Sequence, residues 1–289
     1  MNARMHAAAV IARRQAQETF LSPGLYITLT LGLLLGWVLV NGFASSIDSS
    51  GFNPSMSPLY DMVARSFGGT FGASFVDKLF AEGPFVLALF VSFLPVFLFL
   101  SIGSVFRFGQ EKTAGAVELL TYGPADGTAY FAASYIKDVF FSALALVLIA
   151  LFLSVLGAAD NLSLGPLFFT ALPILFFLTL AVLAYGVLCS IISANASSAL
   201  ALFLGVLLVF LLVLTGALSI ASDSVRTVSS VAAAIVQWIS PFFYASLCMR
   251  AAQGGSAGAV LGGIGLTVAL AAALLAVSHL AIRSRGVRA

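Results

Sequence analysis

Between Asn161 and Ser222 the chain carries no charged residue. A soluble fold does not tolerate so long an uncharged run, because about a quarter of the residues of an ordinary globular domain are charged and spread over its surface. A single membrane helix does not use it up either, since about 20 apolar residues already cross a bilayer. The run therefore reads as two crossings joined by a tight polar turn. The small polar cluster from Ser193 to Ser198 divides it into Pro166 to Ile192 and Ala199 to Ile220. The remaining sequence is of one kind with this run: 61% of residues are hydrophobic, 8% are charged, and mean hydropathy is +1.11. Nucleic-acid-binding, collagen-like and disordered classes are excluded, and an integral membrane protein remains.

The gaps between charged residues then serve as a ruler along the chain. They place further spans over Leu25 to Phe43, Pro84 to Phe106, Val139 to Ala159 and about Ala259 to Ile282. The expected architecture is an all-α membrane protein of six transmembrane helices, one domain over residues 1–289. Gly254, Gly258 and Gly262 recur every four residues at the entry to the last span, a spacing of small residues that lets helices pack closely. A further uncharged stretch, Thr227 to Met249, is interrupted by Gln237, Ser240 and Pro241, with Trp238, Phe242, Phe243 and Tyr244 around the break. It reads as a pair of short helices within 221–257 that dip into one leaflet, buried against protein. A seventh crossing is the alternative.

Lys and Arg in the connections set the orientation. Six spans place Arg4, Arg13, Arg14, Arg107, Lys112, Lys137, Arg283, Arg285 and Arg288 on one side, and Arg65, Lys78, Arg226 and Arg250 on the other. The richer side is cytoplasmic by this rule, so both termini are expected there. Seven spans would export the basic tail. The residues before the first span do not read as a cleavable signal, because that span is long enough to remain as an anchor.

The polar segment from Phe106 to Pro124, in the cytoplasmic region 107–138, reads as a short amphipathic helix ended by Gly123 and Pro124. Glu111, Lys112 and Glu118 supply charge, while Val117, Leu119 and Leu120 supply an apolar side that a loop in water does not need. On composition two readings stand: a helix resting on lipid headgroups, or a docking helix for a cytoplasmic partner.

This segment resembles the loop after the second span of type-2 ABC-transporter permeases, where an acidic-basic pair precedes a Gly-Thr-x-Glu-Leu-Leu-Leu-Thr-x-Pro-like run. Glu111-Lys112, Gly115, Glu118-Leu119-Leu120-Thr121 and Pro124 stand at matching places. Phe20 to Ile27 is similar to the Ser-Pro-x-x-Tyr-Ile element of the gliding-motility and nitrous-oxide-reductase maturation branch, and Ser240 to Tyr244 looks like that branch's Ser-Pro-Phe element. Ala116 stands where the family has Thr, and Ala133-Ser134 where a Gly-Lys pair is common.

The resemblance implies one six-span half of an exporter-like transporter in the inner (cytoplasmic) membrane. Its partners would be a second permease copy or close paralogue and two copies of a cytoplasmic ABC ATPase. It implies that Gln110, Glu111, Lys112, Gly115, Glu118, Leu119 and Leu120 belong to a coupling helix that inserts into a groove of the ATPase. Residues 1–24 would hold an interfacial connecting helix, offering Arg13, Arg14 and Glu18 to headgroups or to the ATPase. No Gly-x-x-x-x-Gly-Lys-Ser/Thr phosphate loop occurs in the sequence, so ATP and Mg are expected in the partner and no cofactor or enzymatic activity in this chain.

Other classes have weaker support. Gly254-Gly-Ser256-Ala-Gly258 matches the Gly-x-Ser-x-Gly elbow of serine hydrolases, but an elbow needs a preceding strand and a histidine within reach, and His279 lies far along the same expected helix. His6, His279, Cys189 and Cys248 lack metal-ligand spacing. The spans as drawn contain no charge, which disfavours an ion-coupled transporter, and scattered Ser and Thr with Asn41 and Tyr185 suit an amphiphile better than a hydrated ion. The outer connection 43–83 is either a solvated cap or the contact for an outer-side partner. A non-transporting scaffold that recruits a cytoplasmic protein is the remaining alternative.

Overall fold

The computed structural model describes residues 3–50, 84–113, 127–214 and 234–285. Helix α1 (Ala3–Phe20) is separated by Leu21 and Ser22 from α2 (Pro23–Ser50), which a proline opens. Proline is favoured there because its missing N–H would have no helical partner. There follow α3 (Phe85–Thr113), α4 (Gly127–Ala159), α5 (Pro166–Ile192), α6 (Ala196–Leu214), a short helical piece at 234–239, α7 (Pro241–Gln253) and α8 (Ala257–Arg285). Six of these, α2, α3, α4, α5, α6 and α8, are long and apolar enough to cross a membrane, and no strand occurs among the described residues. The chain is an all-α, six-span membrane protein.

The helices outrun the apolar gaps that announced them. Charges mark where hydrocarbon ends, whereas a helix continues until something breaks it, and Gln, Glu and Lys are good helix formers. Hence Arg107 to Thr113 complete α3, and Lys137 and Asp138 lie well inside α4. Residues 51–83 and 114–126, which hold most of the expected outer connection and the later part of the expected coupling helix, lie outside the described residues.

Two helices form the axis. Of the most apolar windows of α3 and α5, 56% and 61% of residues are buried, against 22% for α2 and for α8. The outer helices thus present their remaining faces to lipid. Phe85, Leu89, Ile149, Leu153, Phe168 and Phe203 make up much of the fully buried core. α2 lies tightly on α3 through Gly32 and Gly36, one turn apart. A Cβ at Gly32 would collide with the backbone carbonyl of Ser92, and one at Gly36 with the Ser92 hydroxyl.

The small-residue stripe expected at Gly254, Gly258 and Gly262 is corrected here. Gly254 caps α7 and is separated from α8 by the turn Gly255-Ser256, so the three glycines do not share one helix face. Gly258 and Gly262 look into open space, and the close approach of α8 to α7 is made by Gly263 against Cys248. Gly255, at φ +70, needs the left-handed backbone that makes this turn tight.

At one end of the bundle Phe108, Tyr130, Phe131, Val187 and Ile282 cluster, joined by Ile11 and Ile191. α1 and the last part of α8 therefore meet at that end. At the opposite end Phe85 and Phe168 pack edge to face at 6.4 Å, with Gly157 against Phe85.

Candidate functional site

The end where α1 meets α8 also holds the densest set of polar contacts between helices. The last turn of α3 is held by several neighbouring helices. Lys112 is buried, and its Nζ donates to the Ser193 carbonyl at 2.8 Å. That carbonyl belongs to the cap residue of α5, so a cation sits where the helix dipole is negative and main-chain acceptors are unpaired. One turn earlier, a Cβ on Gly109 would strike the backbone of Ala196 at the start of α6. Glu111 faces the other way and accepts a short hydrogen bond from the Tyr130 hydroxyl of α4. Arg107 pairs with Glu18 of α1 at 3.7 Å, and Glu18 with Arg14 at 3.1 Å. The root of the connection between α3 and α4 is thereby tied to α1, α4, α5 and α6.

Of the residues expected to couple to a partner, only Gln110 is exposed among those described; Glu111 is half-buried and Lys112 buried, both bonded within the chain. Gly115, Glu118, Leu119 and Leu120 lie outside the described residues. On α1 the side packed inward carries Gln15 and Thr19 with half-buried Ile11, while Arg13 and Arg14 are exposed. The packing of α1 onto α4 turns that face toward protein.

Sequence reasoning missed two features here. Lys137 and Asp138 form a buried ion pair at 2.8 Å, with both side chains almost wholly enclosed. The helix that carries the third span therefore holds charge just before Val139, where the expected uncharged stretch begins. The two charges cancel where they stand, which is how a buried pair becomes tolerable, yet Asp138 Oδ2 has no protein partner. The second is the mode by which the broken segment is held. The helical piece 234–239 stops at Ser240, leaving carbonyls without helical donors. Tyr185 of α5 donates to the Ile239 carbonyl at 2.5 Å and Tyr244 of α7 to the Trp238 carbonyl at 2.6 Å. Tyr185 also packs edge-on against Phe210. The signal was present, since Tyr185 is one of few polar side chains within the spans.

Ser256 is exposed in the turn before α8, and α8 runs unbroken to Arg285, so about 35 Å of helix separates it from His279. No group of His, Cys, Asp and Glu able to hold a metal occurs among the described residues. Cys189 and Cys248 are free and buried; burial pushes the Cys248 thiol above its ordinary pKa, and it donates weakly to the Val260 carbonyl at 3.7 Å. Neither a protein-family model nor a curated protein matches the chain.

Proposed function

We propose that this chain is the membrane-spanning subunit of an ATP-driven, exporter-like ABC transporter, in which hydrolysis by a separate ATPase is converted into movement of the bundle. The observation that carries the reading is the anchoring of the α3 end. Lys112 on the Ser193 carbonyl, Gly109 on Ala196, Glu111 on Tyr130 and Arg107 on Glu18 join the root of one cytoplasmic connection to four helices. A push on that connection is transmitted to the axis helices α3 and α5 without first bending a loose hinge. A helix resting passively on headgroups has no use for such a root. Support comes also from the resemblance of residues 111–124 to the coupling segment of type-2 permeases.

On this reading Glu118, Leu119 and Leu120, with exposed Gln110, contact the ATPase. Glu111 and Lys112 hold the lever in place and do not touch the partner. Two ATPase copies carry ATP and Mg, and a second permease copy or paralogue completes the complex in the inner membrane, with both termini cytoplasmic. The connection between α2 and α3 is available to an outer-side partner.

The test is purification of the tagged chain in mild detergent and measurement of associated ATP hydrolysis, for wild type and for Glu118→Lys with Leu120→Asp. A co-purifying protein with a phosphate loop, lost in the double variant while the bundle stays inserted, is expected. A wild-type complex that hydrolyses no ATP, or a double variant that retains its ATPase in full, refutes the reading; the first result favours a scaffold.

A further inference from the structure

Two of the long helices carry an internal proline, and they are the two that form the axis. Pro95 stands inside α3 and Pro173 inside α5, whereas α2 has a proline only at its first position and α4, α6 and α8 have none. A proline has no N–H for the carbonyl four residues earlier, here Val91 and Phe169, and its ring crowds that carbonyl. At Pro95 the same turn is short of a second bond. Ser92 is fully buried and its Oγ has no hydrogen-bond partner, although Ser101 and Thr179 elsewhere on the axis donate to carbonyls of their own helices. Turns that lack such bonds open at lower free energy than the rest of a helix.

On each axis helix the proline separates one set of contacts from another. Toward the Phe85 end, α3 and α5 are closed by Phe85 against Phe168, with Gly157 of α4 beside Phe85. α2 joins this part at backbone distance, because a Cβ at Gly32 would meet the Ser92 carbonyl. Toward the Lys112 end a different set begins. Val105 of α3 lies 3.0 Å from where a Cβ on Gly186 of α5 would stand, and Lys112 holds the Ser193 carbonyl. These parts of α3 and α5 are thus fastened to each other and to the root of the lever. α2 meets α3 there at Gly24, which faces the ring of Phe99. A ring can turn aside where a main-chain carbonyl cannot.

We propose that Pro95 and Pro173 form a joint, about which the Lys112-end parts of α3 and α5 swing as one body. The swing draws Phe99 away from Gly24 and opens the bundle beside α2, while the clamp of Phe85, Phe168 and Gly157 stays shut. The arm from Pro95 to Gln110 is about 22 Å of helix, so a bend of about 20° at the proline moves Gln110 by about 8 Å. The joint rests on the transporter reading for its purpose, since it gives a push on the connection between α3 and α4 a motion to drive. It is measured with no ATPase present, so it stands or falls apart from coupling.

The experiment is pulsed electron–electron resonance on the full chain in phosphatidylcholine nanodiscs, with spin labels on pairs of introduced cysteines. Cys189 and Cys248 are buried and take no label. Tyr26→Cys with Gln110→Cys reads the Lys112 end of α3 against α2, and Asn41→Cys with Phe169→Cys reads the clamped end; all four positions are exposed. Distances in the first pair should spread over about 8 Å more than those in the second. Pro95→Ala with Pro173→Ala should shrink that spread to the width of the second pair, because alanine restores the missing donors and favours an unbroken helix. A spread that came from the label itself would not respond to the prolines. A first pair as narrow as the second in the wild type overturns the joint, and so does a spread that survives both substitutions. A double proline variant that unfolds at less sodium dodecyl sulfate than the wild type overturns it too, since the prolines would then serve packing alone.

Discussion

The inward geometry of Glu111 is the claim most open to direct measurement, through a double-mutant cycle of Glu111→Gln and Tyr130→Phe. A hydrogen bond to a charged acceptor contributes about 1.5–3 kcal/mol. Tyr130 is 3% exposed but Glu111 is half-buried, so water competes at the carboxylate and the contribution falls to the bottom of that range or just below it. Each single variant should lose about 1–1.5 kcal/mol of stability. The double variant should lose hardly more than Tyr130→Phe alone, since one change removes the donor and the other the acceptor charge that strengthens the same bond, giving a coupling energy of about 1–1.5 kcal/mol. The assay is unfolding of detergent-solubilised protein by titrated sodium dodecyl sulfate, followed by tryptophan fluorescence. ATPase co-purification is measured on the same four proteins and should stay at the wild-type level while the bundle is folded. Strictly additive losses would show that the two groups do not meet. Release of the ATPase by Glu111→Gln but not by Tyr130→Phe would show that Glu111 faces the partner, and the lever argument would fall.

Gly32→Ala should be less stable than Gly265→Ala by about 1–3 kcal/mol, because helix propensity cancels in the comparison and overpacking against the Ser92 carbonyl remains; equal stabilities in the same unfolding assay would contradict the α2–α3 contact. Lys112→Met should cost about 1.5–3 kcal/mol by leaving the Ser193 carbonyl without its charged donor, and a variant as stable as wild type would remove Lys112 from the anchor. Cysteines introduced at Gln110 and Asn195 should react with an impermeant maleimide from one side, and cysteines at Asp160 and Ala257 from the other; labelling of all four from one side would break the six-span topology.

The spans were legible because the cost of burying charge is large enough to keep most charges out of the apolar runs, so that gaps between them measure the slab. The break at Gln237, Ser240 and Pro241 was legible for a related reason: proline and polar side chains within an apolar segment need protein around them. Direction within a tertiary bundle was not. Glu111 and Lys112 look like surface residues in sequence, and only the approach of α4 and α5 turns them inward. Lys137 and Asp138 were placed outside the third span because each alone is costly there, and adjacency in sequence does not announce that they pair. Of two glycine patterns, Gly32 with Gly36 packs against α3 and Gly258 with Gly262 faces open space, a distinction that depends on which neighbour stands opposite.

The tyrosine staple also bears on how the chain is assembled during synthesis. The piece 241–253 is too short to cross the membrane by itself. An insertion machinery that releases long apolar helices sideways into lipid has no reason to release it. The broken segment must wait at the surface until α5 offers the Tyr185 hydroxyl and α8 offers the groove at Gly263 for Cys248. Because α8 is made after this segment, its burial awaits the synthesis of α8. A nascent chain arrested before Ala257 should therefore keep residues 234–253 open to protease from the side on which α8 begins, and lengthening it through α8 should close that window.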